Sequence, residues 1–70
     1  MKYVIKLCFV KNGNTSYFHH FRVDPRCSYL VPCGKYWPKD AVKFPCIADA
    51  CVVVKRIDRK YCVPLIVPSN

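Results

Sequence analysis

Six cysteines are the residues of this 70-residue chain whose type and spacing are best suited to do chemistry. They are Cys8, Cys27, Cys33, Cys46, Cys51 and Cys62. A domain this short buries only about 60% of the surface that its unfolded chain exposes, so apolar burial alone leaves it marginally stable. Disulfides that restrict the unfolded chain contribute about 2–4 kcal/mol each. The even count and the density therefore predict three disulfides and an oxidising compartment, so we expect a secreted, extracellular protein.

Metal binding is the other chemistry that cysteine and histidine offer. The intervals between successive cysteines hold 18, 5, 12, 4 and 10 residues, and none is the two-residue gap common in zinc sites. His19 and His20 could add ligands, but neighbours on a strand point to opposite faces and would not share one ion. We therefore expect no metal site, and we expect both histidines to be half-exposed strand residues. A pH-sensitive binding contact is the alternative for them.

Catalysis has few candidate residues in this chain. Glu is absent, the serines are Ser16, Ser28 and Ser69 only, and the cysteines are expected to be oxidised. A nucleophile with its base and an orienting acid is hard to assemble from such a set. The sequence predicts a protein that is not an enzyme and uses no cofactor.

A partner-binding role is the more natural use of the residues Tyr36, Trp37 and Lys39. They follow Gly34 in a loop-forming segment, and Trp37 is the sole tryptophan. Aromatic side chains are enriched at the energetic centres of protein interfaces. The other interpretation is that Trp37 folds back and fills a small core.

The charge balance also indicates a binding role. The net charge is +8, and Lys55, Arg56, Arg59 and Lys60 form a basic cluster that is either a solvated turn or a contact for an acidic partner. We predict a monomer that binds an extracellular protein with an acidic surface. Anionic lipid or glycosaminoglycan is the alternative ligand, and specific nucleic-acid binding is not expected because no known module is present.

The elements that position these residues are mostly strands. Val, Ile, Tyr and Phe are plentiful, whereas Glu and Gln are absent and Ala is scarce. This composition favours β structure over helices. Alternation and turn residues predict strands over 2–10, 15–23, 28–31 and 51–57, turns over 12–14, 24–26 and 58–60, and an edge strand or extended arm over 63–67.

The fold class that follows is a small, disulfide-rich, mainly β protein. We expect an antiparallel hairpin and an irregular, cysteine-linked second half. The chain is one domain over 1–70, with a hairpin region over 2–23, a cysteine-rich region over 27–64 and an apolar tail over 65–70. Lys2 and Lys6 interrupt the apolar opening, so it does not read as a signal peptide. For a secreted protein, Met1 is then a start residue on a mature chain, and the alternative is a native Met1 in a cytosolic protein with reduced thiols.

A family resemblance rests on several of these residues. Cys8 with Gly13 and Tyr17, the run Asp24 to Cys27, Cys33, the pair Cys46 and Cys51, and the run Tyr61 to Pro64 together resemble the single-domain von Willebrand factor type C pattern of small secreted arthropod proteins. That pattern usually has eight cysteines, two more than this chain.

The resemblance implies a small antiparallel β module without an enzymatic site. It implies pairing of Cys8 with Cys33, Cys27 with Cys62, and Cys46 with Cys51. It further implies a secreted immune factor or a salivary inhibitor of a host plasma protein such as a complement component. We expect such an inhibitor to act by steric occlusion. The rival class, which shares the charge and the cysteines, is a cationic host-defence or toxin peptide that acts on membranes or channels.

Overall fold

The first hairpin lies where the alternation predicts it, with a first strand that ends one residue earlier than expected. In a computed structural model that describes residues 1–26 and 30–69, strand β1 is Lys2–Phe9 and strand β2 is Thr15–Val23. Gly13 joins them at a φ of 71°, in the left-handed region where only glycine is unstrained. The backbone N–H of Phe9 donates to Asn14 at 2.9 Å and closes the turn. The predicted hairpin is therefore confirmed.

Strand β2 leaves β1 soon after the turn. The two strands pair only from Lys6 opposite Tyr17 to Cys8 opposite Thr15. Nearer its start, β1 instead exchanges hydrogen bonds with Phe44, between Tyr3 and Phe44 backbone groups at 2.9 and 2.8 Å. This divergence lets β2 continue with β3, which is Leu30–Lys35, while residues before α1 fill the gap. Of the strand predicted over 28–31, Leu30 and Val31 belong to β3, and Ser28 lies outside the described residues.

Strand β4, Cys62–Ser69, completes an antiparallel sheet in the order β3-β2-β1-β4. Its two prolines lie within the register with β1, Pro64 opposite Leu7 and Pro68 opposite Tyr3. Proline has no N–H to give to a ladder and suits the outer strand of a sheet. Pro32 has the same role on β3, the other edge strand. The prediction of an edge strand over 63–67 is confirmed, and both edges are protected from pairing with a second chain.

Helix α1, Ile47–Val54, lies where a strand was expected. The prediction of a strand over 51–57 is therefore wrong. Ala50, Val53, Val54 and Ile57 recur at helical spacing and pack on the sheet. That contact outweighs the preference of three consecutive valines for strand.

A single cluster forms the core between α1 and one face of the sheet. Its buried members are Ile5, Leu7, Phe18, Phe44, Ala50, Ile57 and Cys62. Each large apolar side chain that is fully buried there contributes about 1.5–3 kcal/mol. The predicted mainly β, antiparallel fold is confirmed. Within the described ranges, no helix is long and apolar enough to cross a membrane.

Candidate functional site

Tyr36 and Trp37 lie at an exposed corner, where the chain leaves β3 and enters a short 3-10 helix, Pro38–Asp40. Their ring centroids are 4.8 Å apart at an interplanar angle of 84°, which is an edge-to-face pair. Tyr36 is 76% exposed and Trp37 is 57% exposed. The alternative in which Trp37 fills the core is therefore wrong, because the core is complete without it.

The corner is held by backbone bonds on both sides. Pro38 fixes its own φ at the start of the 3-10 helix, and the N–H of Asp40 donates to the carbonyl of Trp37 at 3.1 Å. Beyond it, Ala41 is buried and the N–H of Val42 donates to Phe18 at 3.1 Å. The two aromatic rings thus stand on a segment that is fixed to the sheet.

Three lysines stand close to the aromatic pair in sequence. Lys35 ends β3, Lys39 lies within the 3-10 helix, and the Lys43 ammonium donates to the carbonyl of Pro38. Asp40 is the one acidic residue in this stretch, so its net charge is positive. We call Tyr36, Trp37 and these three lysines the aromatic corner.

The other predicted contact residues lie elsewhere. Lys55, the C-cap of α1, and Arg56 and Arg59, which follow it, are exposed. This segment leads to Tyr61, whose carbonyl accepts the N–H of Val10 at 3.0 Å, just past the end of β1. The aromatic corner instead neighbours the start of β1, where Lys39 lines a shallow depression with Val4 and Ser69.

Two separate surfaces follow from this arrangement. The end of β3 at Lys35 is level with Lys6 of β1, through Tyr17, whereas the segment after α1 meets the chain at Val10, past the end of β1. The six predicted binding residues therefore do not form one site.

The implied pairing of Cys8 with Cys33 is incompatible with this sheet. Strand β2 lies between their strands, and Cys8 is opposite Thr15 whereas Cys33 is opposite His20. Five residues of offset correspond to about 16 Å along the strand, and two inter-strand spacings add about 10 Å across it. A disulfide needs Cα atoms within about 7 Å.

The implied pairing of Cys46 with Cys51 fails for a similar reason. Cys46 is the N-cap of α1 and Cys51 is within the helix, so five residues of helical rise separate them by about 7.5 Å along the axis. None of the five cysteines in the described part of the chain is disulfide-bonded. The remaining implied pair involves Cys27, which lies outside the described residues.

Cys62 differs from the other cysteines because it is fully buried in the core. Burial raises the pKa of its thiol, and the neighbouring Cys8 raises the pKa further, while a hydrogen bond with the Cys8 backbone opposes both effects. Register places Cys62 opposite Phe9 on the core face, so Cys8 points to the other face. Cys62 is thus a structural thiol.

A cleft of about 390 Å³ was not foreseen from the sequence. It is formed by the hairpin turn, the far ends of β2 and β3, and the turn before β4. Its charged and aromatic lining residues are Phe9, Lys11, Arg22, Asp24, Asp58 and Tyr61. Four segments that are separate in sequence contribute to it, so no local motif could indicate it. The carboxylates of Asp24 and Asp58 are held by backbone N–H groups of Arg26 and Lys60, each at 2.9 Å.

The two histidines do not point to opposite faces as expected. A β-bulge falls between Phe18 and His20, and the Nδ1 atoms of His19 and His20 are 3.0 Å apart. Among the described residues, no group of three or more His, Cys, Asp or Glu side chains is arranged to hold a metal ion. The expectation about the faces is wrong because the bulge inserts an extra residue.

Comparisons with protein-family models, curated proteins and solved structures give no match for this chain. The resemblance to the von Willebrand factor type C pattern therefore stays a prediction.

Proposed function

We propose that this protein is a small basic protein-binding module whose contact surface is the aromatic corner. The observation that carries the proposal is the exposure of Trp37 beside Tyr36, on a chain whose core is filled by other residues. Large aromatic side chains supply much contact area and lose little rotamer freedom when they bind. An exposed, edge-to-face pair of them is the strongest docking feature in the described part of the chain.

The fixed backbone of the corner supports the same proposal. Hydrogen bonds of Trp37 and Val42 and the ring of Pro38 hold the segment in one conformation before a partner arrives. A surface that is ordered in advance loses less conformational entropy on association. A protein that acts by covering a partner's surface needs no catalytic side chain of its own.

The charge of the corner indicates the kind of partner. Lys35, Lys39 and Lys43 lie close to the aromatic pair in sequence, and the whole chain carries +8. The positive electrostatic potential of such a charge attracts an acidic surface and speeds encounter with it. We therefore propose a protein partner with an acidic patch next to an apolar depression that takes Trp37.

A finer proposal is that the protein is secreted and inhibits a host protein, such as a complement component, by steric occlusion. It rests on the family resemblance and on the cysteine count. Intact mass of the purified protein tests its premise, because disulfides remove two hydrogens each whereas a reduced cytosolic protein retains all six thiol hydrogens.

The binding proposal is tested by capture from plasma or haemolymph on immobilised protein. Three baits are compared: the parent chain, Trp37→Ala and Tyr61→Ala. Tyr61 is a matched control because it is an aromatic residue with 61% exposure near the opposite end of β1. We expect one protein to be retained by the parent and by Tyr61→Ala, and Trp37→Ala to weaken its binding by more than about 2 kcal/mol, the scale of an interface hot spot.

Equal retention by all three baits would contradict the aromatic corner as the contact surface. Circular dichroism of each variant checks that the sheet is intact. Saturable binding to one protein separates this function from the membrane-active alternative, which instead predicts leakage of anionic liposomes and no selective protein target.

A further inference from the structure

The histidine pair on β2 is a cluster of possible metal ligands that the proposed function does not use. His19 and His20 are the only histidines of the chain. Their Nδ1 atoms are 3.0 Å apart, and their rings are nearly perpendicular at 89° with centroids 5.2 Å apart. One imidazole Nδ1 donates to the other in this arrangement.

The bulge is the cause of this proximity. Phe18 is opposite Gly34 and His20 is opposite Cys33, so two residues of β2 span one step of β3 and His19 has no partner there. In a regular strand the two side chains would point to opposite faces. A bulge bends its strand and redirects one side chain, which here brings the imidazoles to the same side.

We propose that His19 and His20 form a two-imidazole chelate for a divalent transition-metal ion such as Ni²⁺ or Cu²⁺. Metal–nitrogen bonds of about 2.0–2.1 Å and a nitrogen separation of 3.0 Å give an angle near 95° at the metal. This angle suits neighbouring positions of a square-planar or octahedral ion. A tetrahedral zinc site would need the nitrogens about 3.4 Å apart.

Exposure makes the pair accessible to an ion. His20 is exposed and His19 is half-buried, so the chelate opens to solvent. Among the described residues, no third His, Cys, Asp or Glu side chain joins the pair, so water would have to fill the remaining coordination positions. The site therefore takes an exchangeable ion and is independent of the aromatic corner.

Cys33 is the nearest alternative ligand, and it supplies a control. It is the cross-strand partner of His20, but its Sγ lies 3.8 Å from the carbonyl of Val31 on its own strand. The proposal assigns the ion to the imidazoles alone. Replacing this thiol should then leave metal affinity unchanged.

The test uses Ni²⁺ with the full-length protein and two readouts. In NMR spectra, Ni²⁺ below one equivalent should broaden the ring-proton signals of both histidines together. In calorimetry, His19→Ala and His20→Ala should each lower Ni²⁺ affinity at least tenfold, whereas Cys33→Ser should keep it within twofold of the parent. Amide spectra of each variant verify the fold.

Three results would overturn the proposal. Broadening of neither histidine, or of one alone, would show that the pair does not chelate. Loss of affinity in Cys33→Ser with retention in His19→Ala would assign the ion to the thiol. The broadening measurement is made on the parent protein, so it decides the question even where a histidine variant fails to fold.

Discussion

Cys62 is the residue whose environment most constrains its chemistry. Its side chain is fully buried between α1 and the sheet, and burial raises the pKa of the thiol above its ordinary value. The thiolate is the nucleophilic form, so a raised pKa keeps this sulfur unreactive near neutral pH. Among the five cysteines that the structure describes, Cys46 is the exposed one and the most accessible to solvent reagents.

The raised pKa of Cys62 predicts a loss of stability in alkali. Below the ordinary thiol pKa, the folded and unfolded chains both hold the proton. As pH rises past that value the unfolded chain releases it first, so the free energy of unfolding falls until the folded thiol also titrates. Urea unfolding at increasing pH should show this fall, and it should be smaller in Cys62→Ala.

Comparing the pH dependence of the unfolding free energy in the parent and in Cys62→Ala separates this thiol from other groups that titrate at alkaline pH. Lysines and tyrosines titrate in the same range in both proteins, so their effect is common to both curves. Cys62→Ala also loses core contacts, and this loss lowers the free energy of unfolding by the same amount at every pH. The difference in slope between the two proteins therefore reports the thiol alone. Parallel curves for the two proteins would contradict a raised thiol pKa in the core.

Helix α1 shows what the sequence can and cannot predict at the scale of an element. Ala50, Val53, Val54 and Ile57 have helical spacing, and Asp49 in the first turn suits a helix N-terminus. These features favour a helix, but three consecutive valines, which are β-branched, favour a strand. Packing on β1 and β4 decides between helix and strand here, and these contacts are not visible in the sequence of the segment itself.

The strands of the first hairpin were predictable because their information is local. Alternation along β1, the glycine at the turn and the return strand all lie within 23 residues. The bulge before His20 was not predictable, since it depends on the register between β2 and β3. For the site, the sequence pointed to Trp37 in a loop, but its exposure follows only from the completed core.

Substitution of Cys46, the N-cap of α1, distinguishes a free thiol from a disulfide at this position. The two states predict opposite changes in the urea midpoint of unfolding. Cys46 makes no side-chain capping bond. In Cys46→Ser, the hydroxyl can accept an N–H of the first turn, which typically stabilises by about 1 kcal/mol. We expect a higher urea midpoint than in Cys46→Ala, which has no hydroxyl, and a midpoint at or above that of the parent.

A disulfide between Cys46 and Cys51 would produce the opposite result. Both variants would then lose the crosslink, and the midpoint of each would fall below that of the parent. Intact mass measured on the same samples reports the hydrogen count directly. A fall shared by the serine and alanine variants would thus contradict the separation of these two cysteines.

At the scale of the whole molecule, size and charge act together. The molecule measures 38 × 23 × 18 Å and carries a net charge of +8. At 0.01 M salt the Debye length is about 30 Å, so charges at opposite ends repel one another, whereas at 0.15 M it is about 8 Å and only near neighbours interact. Self-repulsion is greater in the compact state than in the expanded unfolded chain.

Salt should therefore stabilise this protein. We expect the melting temperature to rise by several degrees between 0.01 and 0.15 M sodium chloride, since about 1 kcal/mol corresponds to 4–8 °C in a domain of this size. Lys55→Glu with Lys60→Glu is the control, because each change lowers the net charge by two at an exposed position. Its rise should be smaller, as less repulsion remains to be screened. A melting temperature that is constant or falls with salt would contradict self-repulsion as a term in the stability of this fold.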